Sequence, residues 1–129
     1  MKQDSILTLH RYYIWATTMK FHFEEELKKH NISKNKDITI EQMMYMSIWY
    51  GLLYVVAEGW KNLKLHDKVI DSLLQSKNIN LLKRYRNGVF HFNKKYYNDK
   101  YLDFCKEKSS ADWIRKLNLE LGKYFFGIF

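Results

Sequence analysis

The sequence predicts an all-α fold: an up-and-down bundle of four main helices with one or two short helices added, in a single domain spanning residues 1–129. Three observations carry this. Apolar residues recur along most of the chain at the intervals of helix faces rather than of strands. Strand signals are weak, because no Asn-Gly turn separates two alternating segments, and the one Asn-Gly, Asn87-Gly88, falls inside a helical pattern. A chain of 129 residues, 47% of them apolar, is the size of one compact domain that folds without disulfides or a structural metal. No repeat, low-complexity tract or Gly/Ser-rich linker marks a boundary within it.

Taken in order, Ile6, Leu7, Ile14, Phe21 and Leu27 mark a first helix over about residues 5–30, which the polar stretch Asn31 to Asp37 ends. Thr39 then reads as an N-cap, with Gln42 three residues on completing a capping box. The second helix runs from there to about Leu63, and its stretch from Met43 to Ala57 is apolar on nearly every side. At 15 residues that stretch is shorter than the roughly 20 that span a bilayer. Glu41 and Glu58 bracket it, so it reads as a buried helix. Such a helix must be covered all round, either as the centre of its own bundle or with help from a second subunit. A short helix follows over Asp67 to Lys77, with Val69, Ile70, Leu73 and Leu74 facing inward. Asn80 reads as the cap of the next helix, on which Leu82, Tyr85, Val89, Phe92 and Tyr96 form one buried stripe. The last helix starts at Ser109 or Ser110, where Ser109 and Asp112 fit a weaker capping pattern, and turns Trp113, Leu117, Leu121 and Phe125 inward.

The formal charge is +8, and it is not evenly spread. Residues 1–50, 51–76 and 101–129 contribute +1, 0 and +1, whereas Lys77, Lys83, Arg84, Arg86, Lys94, Lys95 and Lys100 face the lone Asp99 across residues 77–100. A localised basic stretch favours a polyanionic partner such as nucleic acid, or an anionic membrane surface; the alternative is a solvated helix face that only aids solubility. Other chemistry is excluded more readily. The five histidines, His10, His22, His30, His66 and His91, include no pair at i, i+4, and the single Cys105 has no neighbouring ligand at zinc spacing. No phosphate-binding glycine loop, dinucleotide fingerprint or nucleophile elbow is present. Neither a metal nor a cofactor is therefore expected. With no signal-peptide pattern, no membrane span and one cysteine, the expected setting is cytoplasmic.

The informative segment is Arg84-Tyr85-Arg86-Asn87-Gly88-Val89-Phe90-His91-Phe92. On a helix at about 100° per residue, the apolar stripe occupies a sector of roughly 80°, and His91 projects nearly opposite, beside Lys83, Arg84, Asn87, Lys94 and Lys95. Core packing does not call for a histidine there. A surface histidine with no task is the alternative. Five residues of straight helix would also set Arg86 and His91 about 140° and 7.5 Å apart. They converge only if the helix bends near Gly88 or if two subunits each supply one of them.

The run from Arg86 to His91, with Asn87 following the arginine, resembles the Arg-x4-His motif of the HEPN superfamily. The stretch Val55-Val56-Ala57-Glu58-Gly59-Trp60, the short helix after it and the aromatics Phe92, Tyr96 and Tyr97 beyond the motif extend the resemblance over most of the chain. The resemblance implies a dimeric helical bundle and a metal-independent endoribonuclease, a toxin or defence effector that leaves 2',3'-cyclic phosphate ends. Carried onto this sequence, it implies that His91 is a general base or acid, that Arg86 binds the scissile phosphate, and that Asn87 orients the phosphate or His91. Lys83, Arg84, Lys94 and Lys95 would bind RNA. Implied partners are RNA, a second copy of the chain, and an antitoxin or the product of a neighbouring gene; no membrane is implied. One departure is Asn93, where the toxin branch paired with a nucleotidyltransferase carries a modifiable tyrosine two positions after the histidine. Glu58 is a minor candidate as an acidic partner of Arg86 or His91. The competing expectations are a non-catalytic RNA or nucleotide binding module and a protein-interaction bundle docking through residues 43–57.

Overall fold

The computed structural model describes residues 2–30 and 38–129, apart from the side chains of residues 2, 30 and 101. Among the described residues there are six helices and no strand: α1 (Lys2–His30), α2 (Ile40–Asn62), α3 (Lys68–Leu73), α4 (Asn78–Phe90), α5 (Asp99–Lys106) and α6 (Ser110–Ile128). Four are long and two are short, as the sequence predicts. No helix among the described residues is long and apolar enough to cross a membrane. The stretch Asn31 to Asp37 lies outside the described residues.

The capping box at the start of α2 is present. Thr39 Oγ1 accepts from the Gln42 amide at 3.1 Å, and Gln42 Oε1 accepts from the Thr39 amide at 3.0 Å. The same glutamine donates Nε2–H to the Glu26 carbonyl at 3.3 Å, so one residue both opens α2 and ties it to α1. At the other end, the amides of Lys64 and Leu65 bond back to the Lys61 and Trp60 carbonyls, which closes the helix with Lys64 in the left-handed region at φ 54°.

The apolar surface of α2 is covered within its own chain chiefly from Trp49 onward, whereas Met44 is exposed and Met43, Tyr45, Met46 and Ile48 are half-buried. Trp49, Leu53, Val56, Ala57 and Trp60 are all buried, against α1, α4 and α6. At Gly59 an added Cβ would collide with Leu9, so the glycine sets how closely α1 lies on α2. Buried polar groups fix the register. Trp49 Nε1 donates to Asn118 Oδ1 at 3.0 Å, and Asn118 Nδ2 reaches Thr17 Oγ1 at 3.3 Å, joining α1, α2 and α6.

Several sequence expectations need correction. On α1 the buried face is Leu9, Ala16 and Phe23, while Leu7, Ile14 and Phe21 are exposed. Both sets repeat every seven residues, and α2 packs on the first, with Leu9 against Gly59 and Phe23 against Trp49. Helix α3 ends at Leu73, well before Lys77. Asn80 caps nothing; α4 begins two residues earlier, where Ser76 Oγ accepts from the Asn78 amide. Ser109 has helical dihedrals and makes no capping bond. Its hydroxyl instead accepts from Asn78 Nδ2 and donates to Glu107, tying the start of α4 to the turn before α6.

Candidate nucleic-acid interface

The buried stripe expected along residues 82–96 is cut in two. Leu82 and Tyr85 are in the core and Val89 packs against it, but α4 stops at Phe90, and His91 turns extended (φ −114°, ψ 128°) with its amide still bonded to the Asn87 carbonyl at 3.2 Å. Two asparagines then organise the chain through short Asx turns. Asn93 Oδ1 accepts from the Lys95 amide, and Asn98 Oδ1 accepts from the Lys100 amide to open α5, each at 2.9 Å. Phe92 and Tyr96 consequently leave the core and are exposed.

Helix α5 folds back along α4, and an aromatic cluster of Tyr50, Tyr85 and Phe104 fills the space between them and α2. Burial pushes the Tyr50 phenol far above its ordinary range, with the nearby Cys105 adding to the shift. At Gly51 an added Cβ would run into the Phe90 ring, so the last turn of α4 rests directly on the α2 backbone.

The basic segment is only partly neutralised. Lys77 pairs with Glu107 at 3.2 Å, and Arg84 pairs with Asp103 of α5 at 2.9 Å, an arrangement that spends Arg84 on holding the two helices together. Lys83, Lys94, Lys95 and Lys100 are exposed and form no ion pair among the described residues.

Arg86 is held on two sides. Its Nε and Nη2 donate to Asn87 Oδ1 at 3.3 and 3.0 Å, and the guanidinium lies over the Tyr54 ring at 4.9 Å. The Asn87 side chain thus orients Arg86, while its carbonyl holds the His91 amide. Burial raises the Tyr54 phenol above its ordinary value; Glu58 adds to this and Arg86 opposes it. Glu58 is exposed and pairs with neither Arg86 nor His91 among the described residues.

His91 faces elsewhere. With Lys95, Phe92 and Tyr97 it borders a groove of about 660 Å3 whose floor includes Met43, Met46, Val89 and Leu102. Cys105 also lines the groove, and burial pushes its thiol upward. The structure therefore bonds Arg86 to Asn87 and leaves His91 and Lys95 bordering one groove, against a different part of α2. Tyr54 and Met46 lie eight residues apart, or about 12 Å along the helix. Among the described residues no cluster of His, Cys, Asp and Glu could hold a metal.

Sequence reasoning missed Tyr54, Asp103 and the groove floor. Asn93 and Asn98, which favour turns, were the signals that the stripe would break. No protein-family model, curated protein or solved structure matches this chain.

Proposed function

We propose that the chain is a metal-independent endoribonuclease of HEPN type, acting as a homodimer in the toxin or defence class. The observation that carries this reading is the end of α4, where Asn87 and Tyr54 hold a guanidinium within two turns of an exposed imidazole, amid lysines that have no ion pair among the described residues. A guanidinium held by one acceptor keeps further N–H donors for phosphate oxygens, and imidazole accepts or donates a proton near neutral pH. In the proposed reaction the ribose 2'-oxygen loses its proton to His91 and bonds to phosphorus. The P–O5' bond breaks, and the leaving oxygen takes a proton from His91 of the partner subunit. The products are a 2',3'-cyclic phosphate and a 5'-hydroxyl end, and Arg86 stabilises the charge that builds on the phosphoryl oxygens. Because Arg86 and His91 lie against different stretches of α2 in one chain, the reading requires two copies to complete a site.

That same separation favours a second reading, a non-catalytic RNA-binding module using Lys83, Lys94 and Lys95. Cleavage of RNA in EDTA separates the two. The nuclease reading expects His91→Ala to lower the cleavage rate by about 10²- to 10⁴-fold with RNA affinity largely kept. Binding without cleavage in the wild-type chain would leave the module. Both readings expect affinity to fall steeply with added salt.

A further inference from the structure

Four aromatic rings stand outside the core within eight consecutive residues. Phe90, Phe92, Tyr96 and Tyr97 are 55%, 94%, 63% and 56% exposed, interleaved with Lys94 and Lys95. Phe90, the last residue of α4, rests its ring on Gly51, but helix packing does not account for the other three, since α4 has ended and the segment continues through Asx turns. Behind Phe92 and Tyr97 lies the groove of about 660 Å3, a volume that falls among those of small-ligand pockets. Its floor is apolar, but its wall is not wholly so. Ser47 and Tyr85 exchange a hydroxyl hydrogen bond of 3.0 Å there, and Asn98, only 5% exposed, has an Nδ2 donor with no partner. A purely aliphatic ligand would leave that donor unpaired. A flat heteroaromatic ring with acceptors on its edge would stack on the rings and offer the donor a partner.

We infer that this groove is a nucleobase subsite. One unpaired base enters between the groove floor and the rings of Phe92 and Tyr97, and the phosphates on either side of it meet Lys94 and Lys95. The inference rests on the RNA reading and narrows it to single-stranded RNA. A base in a duplex is paired along its edge and covered on both faces, so it can offer neither to a groove of this kind.

The test reads binding without cleavage. A fluorescent eight-nucleotide 2'-O-methyl strand lacks the attacking hydroxyl; it is compared with the same strand made abasic and with a blunt 2'-O-methyl duplex, using the full chain in EDTA. The base-bearing strand is expected to bind roughly tenfold or more tightly than either control. Phe92→Ala and Tyr97→Ala are each expected to remove about tenfold of that affinity and to leave abasic binding unchanged. The base-bearing strand should also slow alkylation of Cys105, which lines the groove, whereas the abasic strand should not. Equal affinity for all three probes, or no effect of Phe92→Ala, overturns the subsite and leaves RNA binding standing. If no probe binds, the RNA reading fails and the subsite with it.

Discussion

The α2–α6 core and the segment from Lys83 to Lys100 treat the same kinds of residue in opposite ways. In the core, the indole N–H groups of Trp49, Trp60 and Trp113 donate to Asn118, to Asp71 and to the Leu73 carbonyl, at 3.0, 2.9 and 3.0 Å. Their rings are almost wholly buried. In the segment, the ring of Phe92 is almost wholly exposed, and four lysines have no ion pair among the described residues. Stability is therefore assigned to the first region, and the recognition proposed above to the second. The boundary runs through α4: its Leu82 and Tyr85 belong to the core, and its last turn belongs to the surface.

The sharpest way to break this comparison is to make the same kind of change on each side. Trp60→Ala removes a ring that is 1% exposed and leaves a cavity, with an expected loss of about 3–5 kcal/mol. Phe92→Ala removes a ring in water and is expected to change stability by less than about 0.5 kcal/mol. Urea denaturation of both variants measures the contrast. A loss above 2 kcal/mol for Phe92→Ala would mean that the segment is part of the core and would undo the division.

How much of this was legible in the sequence follows the same boundary. The capping box at Thr39 and Gln42 and the inward face of α6 follow from local chemistry and periodicity, and the structure keeps both; the buried course of α2 is kept from Trp49 onward, while Met44 before it is exposed. Phe92 and Tyr96 were misplaced because spacing counts residues and does not register a chain break. The helix ends at Phe90 with His91 extended, and beyond it Asn93 takes the Lys95 amide and Asn98 takes the Lys100 amide to open α5, so the apolar period does not continue as one helix. On α1, two stripes repeat every seven residues, and only the contacts of Leu9 and Phe23 with α2 select between them. The Arg86–Asn87 pair could be suspected from adjacency, but its third member, Tyr54, lies 32 positions away and comes into contact only through the α2–α4 packing.

A smaller effect sharpens the core side. Asp71 accepts from Trp60 Nε1, and its second oxygen contacts His66 Nδ1 and the Asp67 amide at 3.4 and 3.3 Å. The Trp60 bond is the largest cause holding its carboxyl below the usual range, and the His66 and Asp67 contacts assist against the opposing effect of desolvation. A depressed folded-state pKa stabilises the protein above the unfolded value, near pH 4, and that stabilisation is lost as pH falls through the folded value. Asp71→Asn is therefore expected to be less stable than wild type at pH 7, with the gap closing as pH falls below about 4. The effect should be well below that of Trp60→Ala, because the side chain is 36% exposed and water screens its charge. Denaturation midpoints of both proteins from pH 7 to pH 3 check this; a gap that stays constant would show that the carboxylate charge is not its source.

A further small effect concerns the one non-glycine residue with positive φ in the described chain, Lys64, at the end of α2. Its amide and that of Leu65 complete the helix closure, so the left-handed conformation is imposed by the turn, and the lysine side chain bears the cost. Glycine adopts this conformation freely but loses more chain entropy on folding. The two effects oppose each other, roughly 1–2 kcal/mol of conformational relief against roughly 0.5–1 kcal/mol of entropy, and Lys64→Gly is expected to stabilise by no more than about 1 kcal/mol. An increase of that size places the residual strain of the core side in a single turn. A decrease would mean that the aliphatic stem of Lys64 stabilises the end of α2 by more than its backbone conformation costs.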